Sequence, residues 1–295
     1  MFRSFYFWYR KKLKKKPIII IVGSFITLFA ALGSIYSGFN AISAFSNLIK
    51  SHYFENEFIY ERLKKINTGL DINFVETIIG KPAITKRLPS QMTENVKSEN
   101  NEWVEKKTFS ELDNYAEKIY VHKKYFIQII INNKGTVVSY AITTRNSKFN
   151  PEIPVKIYRG DRRGGSYPYI SNLRLGKMKL TDIKDYLPET INIGNWGMLY
   201  FYVEANYFGN PGFYKHYLFS LSPSGCCIDK KIFFKLDKFI NEKDISIKNP
   251  KVNEIRFDIV PNTFAVVNGY GNEKLLEYLI KKGIGPNYYD IREFN

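Results

Sequence analysis

Residues 66–86 read INTGLDINFVETIIGKPAITK, and the fold turns on this run. Gly69 can take a positive φ, Asp71 is a helix-capping residue type, and Gly80-Lys81-Pro82 is a stop signal. Between these marks Phe74, Val75, Ile78 and Ile79 recur at helical spacing, which predicts a short helix with one apolar stripe. A helix this short is not stable alone in water, so it must lie on a partner surface.

That partner lies downstream. Residues 118–144, KIYVHKKYFIQIIINNKGTVVSYAITT, read as two strands joined by a turn at Asn132-Asn133-Lys134-Gly135. One face of the hairpin, carrying Tyr125, Ile127 and Ile129 with Val137 and Ser139, is expected to take the helix stripe. The polar stretch from Ser90 to Lys107 reads as a flexible connection.

Gly69-Leu70-Asp71, a central Val75 and Ile79-Gly80-Lys81-Pro82 sit at the offsets of a known pattern. In this the chain resembles the BamE-like (SmpA/OmlA) family, small lipoproteins of the bacterial outer-membrane protein assembly machinery. The resemblance covers residues 60–145 and implies a helix laid on an antiparallel sheet, with a partner protein in the envelope. Family members are anchored through an N-terminal Cys; this chain lacks that Cys and continues for some 150 residues beyond the module.

Upstream, the first sixteen residues carry seven of the positive charges and no acid. From Pro17 to Ile49 no charged residue occurs, a run long enough to cross a bilayer as one helix. Two readings compete: a retained signal anchor, which is preferred, and a signal peptide cut after Ala31-Leu32-Gly33. Basic residues precede the span and only Lys50 follows closely, so the N-terminus is expected in the cytoplasm and the remainder outside it.

The expected organisation is a basic segment at 1–16, a transmembrane helix at 17–39, an amphipathic stalk at 40–66, a BamE-like α+β module at 67–150 and a second α+β region at 151–295. That second region contains LRLGKMKLTDIKDYL, then aromatic strands around a turn at Gly209-Asn210-Pro211-Gly212, a candidate diverged copy of the first module. The chain ends on a strand, Gly269-Tyr270-Gly271, and a helix opening at Asn272; the strand-turn-helix order suits phosphate, although the rest of a phosphate-loop signature is missing.

At 295 residues, with 44% apolar and 16% aromatic content, the chain is a folded protein. Its net charge of +16 favours anionic partners. The best candidate binding surface is the glycine-rich loop at 158–169, where Arg159, Arg162 and Arg163 can clamp phosphate or carboxylate, on a ligand or at a lipid surface. Tyr207, Phe208, Phe213, Tyr214 and Tyr217 suit either stacking on sugars or bases, or core packing. His52, His122 and His216 show no ligand spacing, and adjacent Cys226 and Cys227 read as two small buried residues more than as a redox or metal pair. No metal, cofactor or catalytic constellation is expected. The resulting expectation is a bacterial single-pass membrane protein whose extracytoplasmic domain binds or scaffolds in the envelope; the alternatives are a membrane-tethered cytoplasmic effector or nucleic-acid-binding protein, and an enzyme without a recognisable motif.

Overall fold

The computed structural model describes residues 55–89, 91–97, 103–109, 112–153, 156–160, 166–170, 173–183, 188–207, 214–240 and 245–294. The chain divides after Ile59, and residues 60–295 make up one compact unit.

Helix α1 (Glu55–Leu63) leads into α2 (Ile72–Ile79). Both ends of α2 follow the sequence: Asp71 accepts a hydrogen bond from the Asn73 amide at 2.7 Å, and Gly80 closes the helix at φ +91°. The stripe needs correction. Ile72 and Val75 are buried, but Phe74 is 52% exposed. The cause is how the chain enters the helix: the amides of Gly69 and Ile72 donate to the carbonyls of Val137 and Gly135, and Leu70 accepts from Val137. This clamp turns Ile72 onto the hairpin turn and rotates Phe74, about 100° from Val75, outward.

The strands are β1 (Ile84–Arg87), β2 (Gln91–Lys97), β3 (Trp103–Phe109), β4 (Tyr115–Val121), β5 (Tyr125–Asn132), β6 (Val137–Thr144), β7 (Lys156–Gly160), β8 (Ser166–Ile170), β9 (Thr190–Trp196), β10 (Leu199–Tyr207), β11 (Lys215–Leu221) and β12 (Thr263–Asn268). Helices α3 (Lys230–Phe239) and α4 (Pro250–Asp258) lie between β11 and β12; α5 (Glu273–Lys282) and α6 (Tyr288–Ile291) follow β12. Eight strands form one sheet in the order β1-β4-β5-β6-β12-β11-β10-β9, each pair antiparallel. Residues 67–150 and 151–295 therefore each supply half of a single sheet, joined at the pairing of β12 with β6.

Every residue of β6, and all of β5 except Asn132, is buried. Strands with one wet face alternate; these do not, because both faces are covered. On one face Val203, Ala205, Leu218, Ala265 and Val267 pack with Leu275 and Leu279 of α5. On the other, Phe219 and Phe264 meet at 5.4 Å between ring centroids, and Glu204 pairs with Arg256 of α4.

Two expectations about the architecture fail. The stretch from Ser90 to Lys107, read as a flexible connection, holds β2 and most of β3, paired antiparallel from Gln91 opposite Phe109 to Lys97 opposite Trp103; a strand pair of such polar composition lacks the apolar alternation that signals one in sequence. The membrane-protein architecture is likewise corrected. The longest helices among the described residues have ten residues, about 15 Å, half of a bilayer core. Among the described residues no helix is long and apolar enough to cross a membrane. The transmembrane helix expected at 17–39 and most of the expected stalk at 40–66 lie outside the described residues; in the described part of the stalk, residues 55–66, the helix is the nine-residue α1.

Candidate functional site

Two open clefts flank the loop that starts α5. One, of about 400 Å³, is lined by Asn114, Tyr115, Asn132, Asn133, Asn268, Tyr270 and Asn272 among others. The second, of about 440 Å³, is lined by Glu189, Tyr207, Tyr214, His216, Gly269, Tyr270 and Glu273. Tyr270 belongs to both.

The sheet order makes these clefts. The start of β4, the β5–β6 turn and the end of β12 lie in neighbouring positions of the sheet, which gathers the asparagines. In the second cleft Tyr207 of β10 stands directly opposite His216 of β11, with ring centroids 4.9 Å apart. Tyr207 and Tyr214 are nearly parallel, 6.4 Å between centroids. Glu189 is tied alongside by its amide, which donates to the Ala205 carbonyl.

The shared loop is fixed by its own bonds. The Gly269 amide donates to the Tyr214 carbonyl at 2.7 Å, Asn272 Nδ2 to the Tyr270 carbonyl at 3.0 Å, and the Tyr115 hydroxyl to Asn272 Oδ1 at 2.9 Å. A Cβ on residue 269 would lie 3.0 Å from the Tyr214 carbonyl and 3.1 Å from the His216 ring, so glycine permits the close approach. The Tyr270 side chain is left 83% exposed on this rigid turn.

Burial pushes the His216 imidazole below its ordinary value, against the opposing pull of Glu273, so the ring is neutral at pH 7. Its Nδ1 is buried, has no hydrogen-bond partner among the described residues, and stands 3.9 Å from Glu189 Oε2. Burial in turn pushes the Glu189 carboxyl upward. Among the described residues neither cleft is lined by Lys or Arg, although the chain carries 44 of them. Lys215, next to His216, alternates to the opposite side of β11 and donates to Asn67 Oδ1 at 2.8 Å. The site therefore offers aromatic faces, amides, a neutral imidazole and two carboxylates, a set that matches hydroxyl groups and repels anions.

The residues expected from sequence fall elsewhere or only partly here. Arg159 lies in β7, opposite Tyr167 of β8, while Arg162 and Arg163 lie outside the described residues. Of the aromatic group, Tyr207 and Tyr214 line the cleft, Tyr217 is buried in the core, and Phe208 and Phe213 lie outside the described residues. At the phosphate-type turn, Asn272 makes no side-chain cap, and Glu273 Oε1 accepts from the Gly271 amide at 3.3 Å, placing a carboxylate where an anion would go. The expectation that both cysteines are buried is corrected: Cys227 is exposed at φ +68°, and the half-buried Cys226 thiol is pushed up to about 12, chiefly by burial. Among the described residues no group of three His, Cys, Asp or Glu side chains converges to hold a metal ion. Glu189, His216 and Tyr270 were not singled out as a site. Their only signal is aromatic and asparagine enrichment at strand ends, which by itself reads as turn composition.

The fold and clefts define an α+β protein built on one eight-stranded antiparallel sheet. No protein-family model, no curated protein and no solved structure matches the chain. A resemblance to the BamE-like pattern over residues 60–145 does not by itself carry function. The envelope reading, with its single span, N-terminus in the cytoplasm, extracytoplasmic domain and envelope partner, is corrected on the finding that among the described residues no helix is long and apolar enough to cross a membrane.

Proposed function

We propose that residues 60–295 form a binding domain whose ligand is neutral and rich in hydroxyl groups, held at the start of α5. The observation that carries this reading is the pair His216 and Glu189: a buried neutral Nδ1 with no partner among the described residues, 3.9 Å from a carboxylate oxygen, beside the Tyr207 ring. A hydroxyl both donates and accepts, so it is the group that matches a carboxylate exposed at the cleft beside a neutral imidazole. Aromatic faces stack on the apolar side of a sugar ring, and the absence of Lys and Arg from the described lining disfavours phosphates.

Ligand-observed NMR on the full-length protein tests this with glucose, N-acetylglucosamine, inorganic phosphate and AMP. Saccharide binding is expected, weakened about tenfold by Glu189→Gln, which removes a charged hydrogen-bond acceptor. Displacement of the saccharide by phosphate, or equal binding by the variant and the parent, overturns the reading.

A second reading, a nucleic-acid-binding protein, is favoured by one other surface. On α3 and α4, Phe234 is 71% and Phe257 59% exposed, among the exposed Lys230, Lys231, Lys235, Lys238 and Lys251. Lysines for phosphates and rings for bases are the elements of single-strand recognition. The arginines Arg159, Arg162 and Arg163 are proposed as a further anionic contact under this reading. Binding of a single-stranded oligonucleotide that falls with salt and is lost in the Phe234→Ala/Phe257→Ala double variant supports it; unchanged binding by that variant refutes it.

A further inference from the structure

We infer that the ligand is an oligosaccharide of at least two units, lying across both clefts with the Tyr270 ring as the platform between them; this deepens the proposed function and rests on it. The two clefts are adjacent and share one side chain, Tyr270. A ligand filling only one would use half of the lining that the α5 loop organises.

The platform is built in advance. Tyr270 sits between two glycines, with its own carbonyl held by Asn272 Nδ2 and the preceding amide held by the Tyr214 carbonyl, so the exposed ring rides on a backbone that does not need to be ordered on binding. An exposed aromatic ring on a rigid turn, with polar clefts on either side, presents a stacking face between two hydrogen-bonding pockets. The cleft on one side supplies His216 and Glu189 for a sugar's hydroxyls; the other supplies Asn114, Asn133 and Asn268, whose amides pair with vicinal hydroxyls or with acetamido groups. Among the described residues both sides are free of basic side chains, which favours a neutral polymer over an acidic one.

The test is affinity against chain length. Isothermal titration of the full-length protein uses β-1,4-linked N-acetylglucosamine oligomers and cello-oligomers of one to four units, with the parent, Tyr270→Phe, Tyr270→Ala and Glu189→Gln. In the parent one series is expected to tighten about tenfold or more between one and three units, a stacking contribution. Tyr270→Phe keeps that gain, because the face remains; Tyr270→Ala loses it and binds every length as weakly as the single sugar. Melting temperature confirms that the exposed substitution leaves the fold intact. If single sugars bind and respond to Glu189→Gln but affinity is flat with length in the parent, the spanning inference falls while the cleft reading stands. If no saccharide of any length binds, both fall.

Discussion

Replacing Arg256 by Met should be the most damaging single change to the sheet's α3–α4 face. Glu204 is fully buried, and its carboxylate accepts from Arg256 Nε at 2.8 Å, Arg256 Nη2 at 3.3 Å and the Tyr202 hydroxyl at 3.0 Å. Met fills much of the same volume but leaves a carboxylate in the interior with a single hydroxyl donor. Breaking a buried pair in this way costs about 3–5 kcal/mol. For a unit of this size each kcal/mol moves the melting temperature by about 2–4 °C, so a fall of about 6–20 °C is expected. Urea unfolding followed by circular dichroism, with the slope checked for constancy, gives the free energy directly. The triple variant Tyr202→Phe/Glu204→Leu/Arg256→Met, which removes the polar trio together, should be more stable than Arg256→Met alone, since no charge is stranded. A loss below about 1 kcal/mol for Arg256→Met would refute the reasoning, because only a solvent-screened pair is worth so little.

Gly80→Val should cost about 1 kcal/mol or more, from strain at φ +91° alone, since a Cβ there meets nothing within 4 Å; an unchanged melting temperature would mean the helix end relaxes. Gly194→Ala fails for the opposite reason: its Cβ would lie 2.3 Å from Phe201 Cζ, and overpacking should cost about 1–3 kcal/mol by the same unfolding assay. Hydrogen bonds from Lys118 and Lys81 hold the Glu76 carboxyl below its ordinary range. A depressed carboxylate stabilises the fold above its unfolded value, near pH 4.3, and the benefit is lost as pH falls through the folded value. The stability gap between the parent and Glu76→Gln should therefore hold above about pH 5 and close as pH falls through the unfolded and then the folded value; a gap independent of pH would show that the lysines do not act on Glu76.

The legible parts of the fold were those with local causes. Asp71, Gly80 and the Asn132–Gly135 turn announce themselves because capping and turn formation involve only a few neighbouring residues. Phe74 was misread because its orientation is set by Gly69, Leu70 and Ile72 bonding to the hairpin, a contact across more than sixty residues. The same limit hid the site. Glu189, His216 and Tyr270 come together only because β12 pairs between β6 and β11 and brings the start of α5 beside Tyr207 and His216. Periodicity shows which residues share a strand face, but not which strands are neighbours. Charge points a different way: a net +16 favours anions, whereas among the described residues the clefts are lined without a basic side chain.

If ligand is held at the start of α5, hydrogen–deuterium exchange locates it without prior choice of a site. The full-length protein is compared with and without saturating N-acetylglucosamine trimer, reading peptides that cover residues 214–218 and 268–276. Slowed exchange in both peptides, with α3 and α4 unchanged, is expected. Slowing confined to α3 and α4, or no slowing at 268–276 at a concentration where the trimer binds, would contradict it.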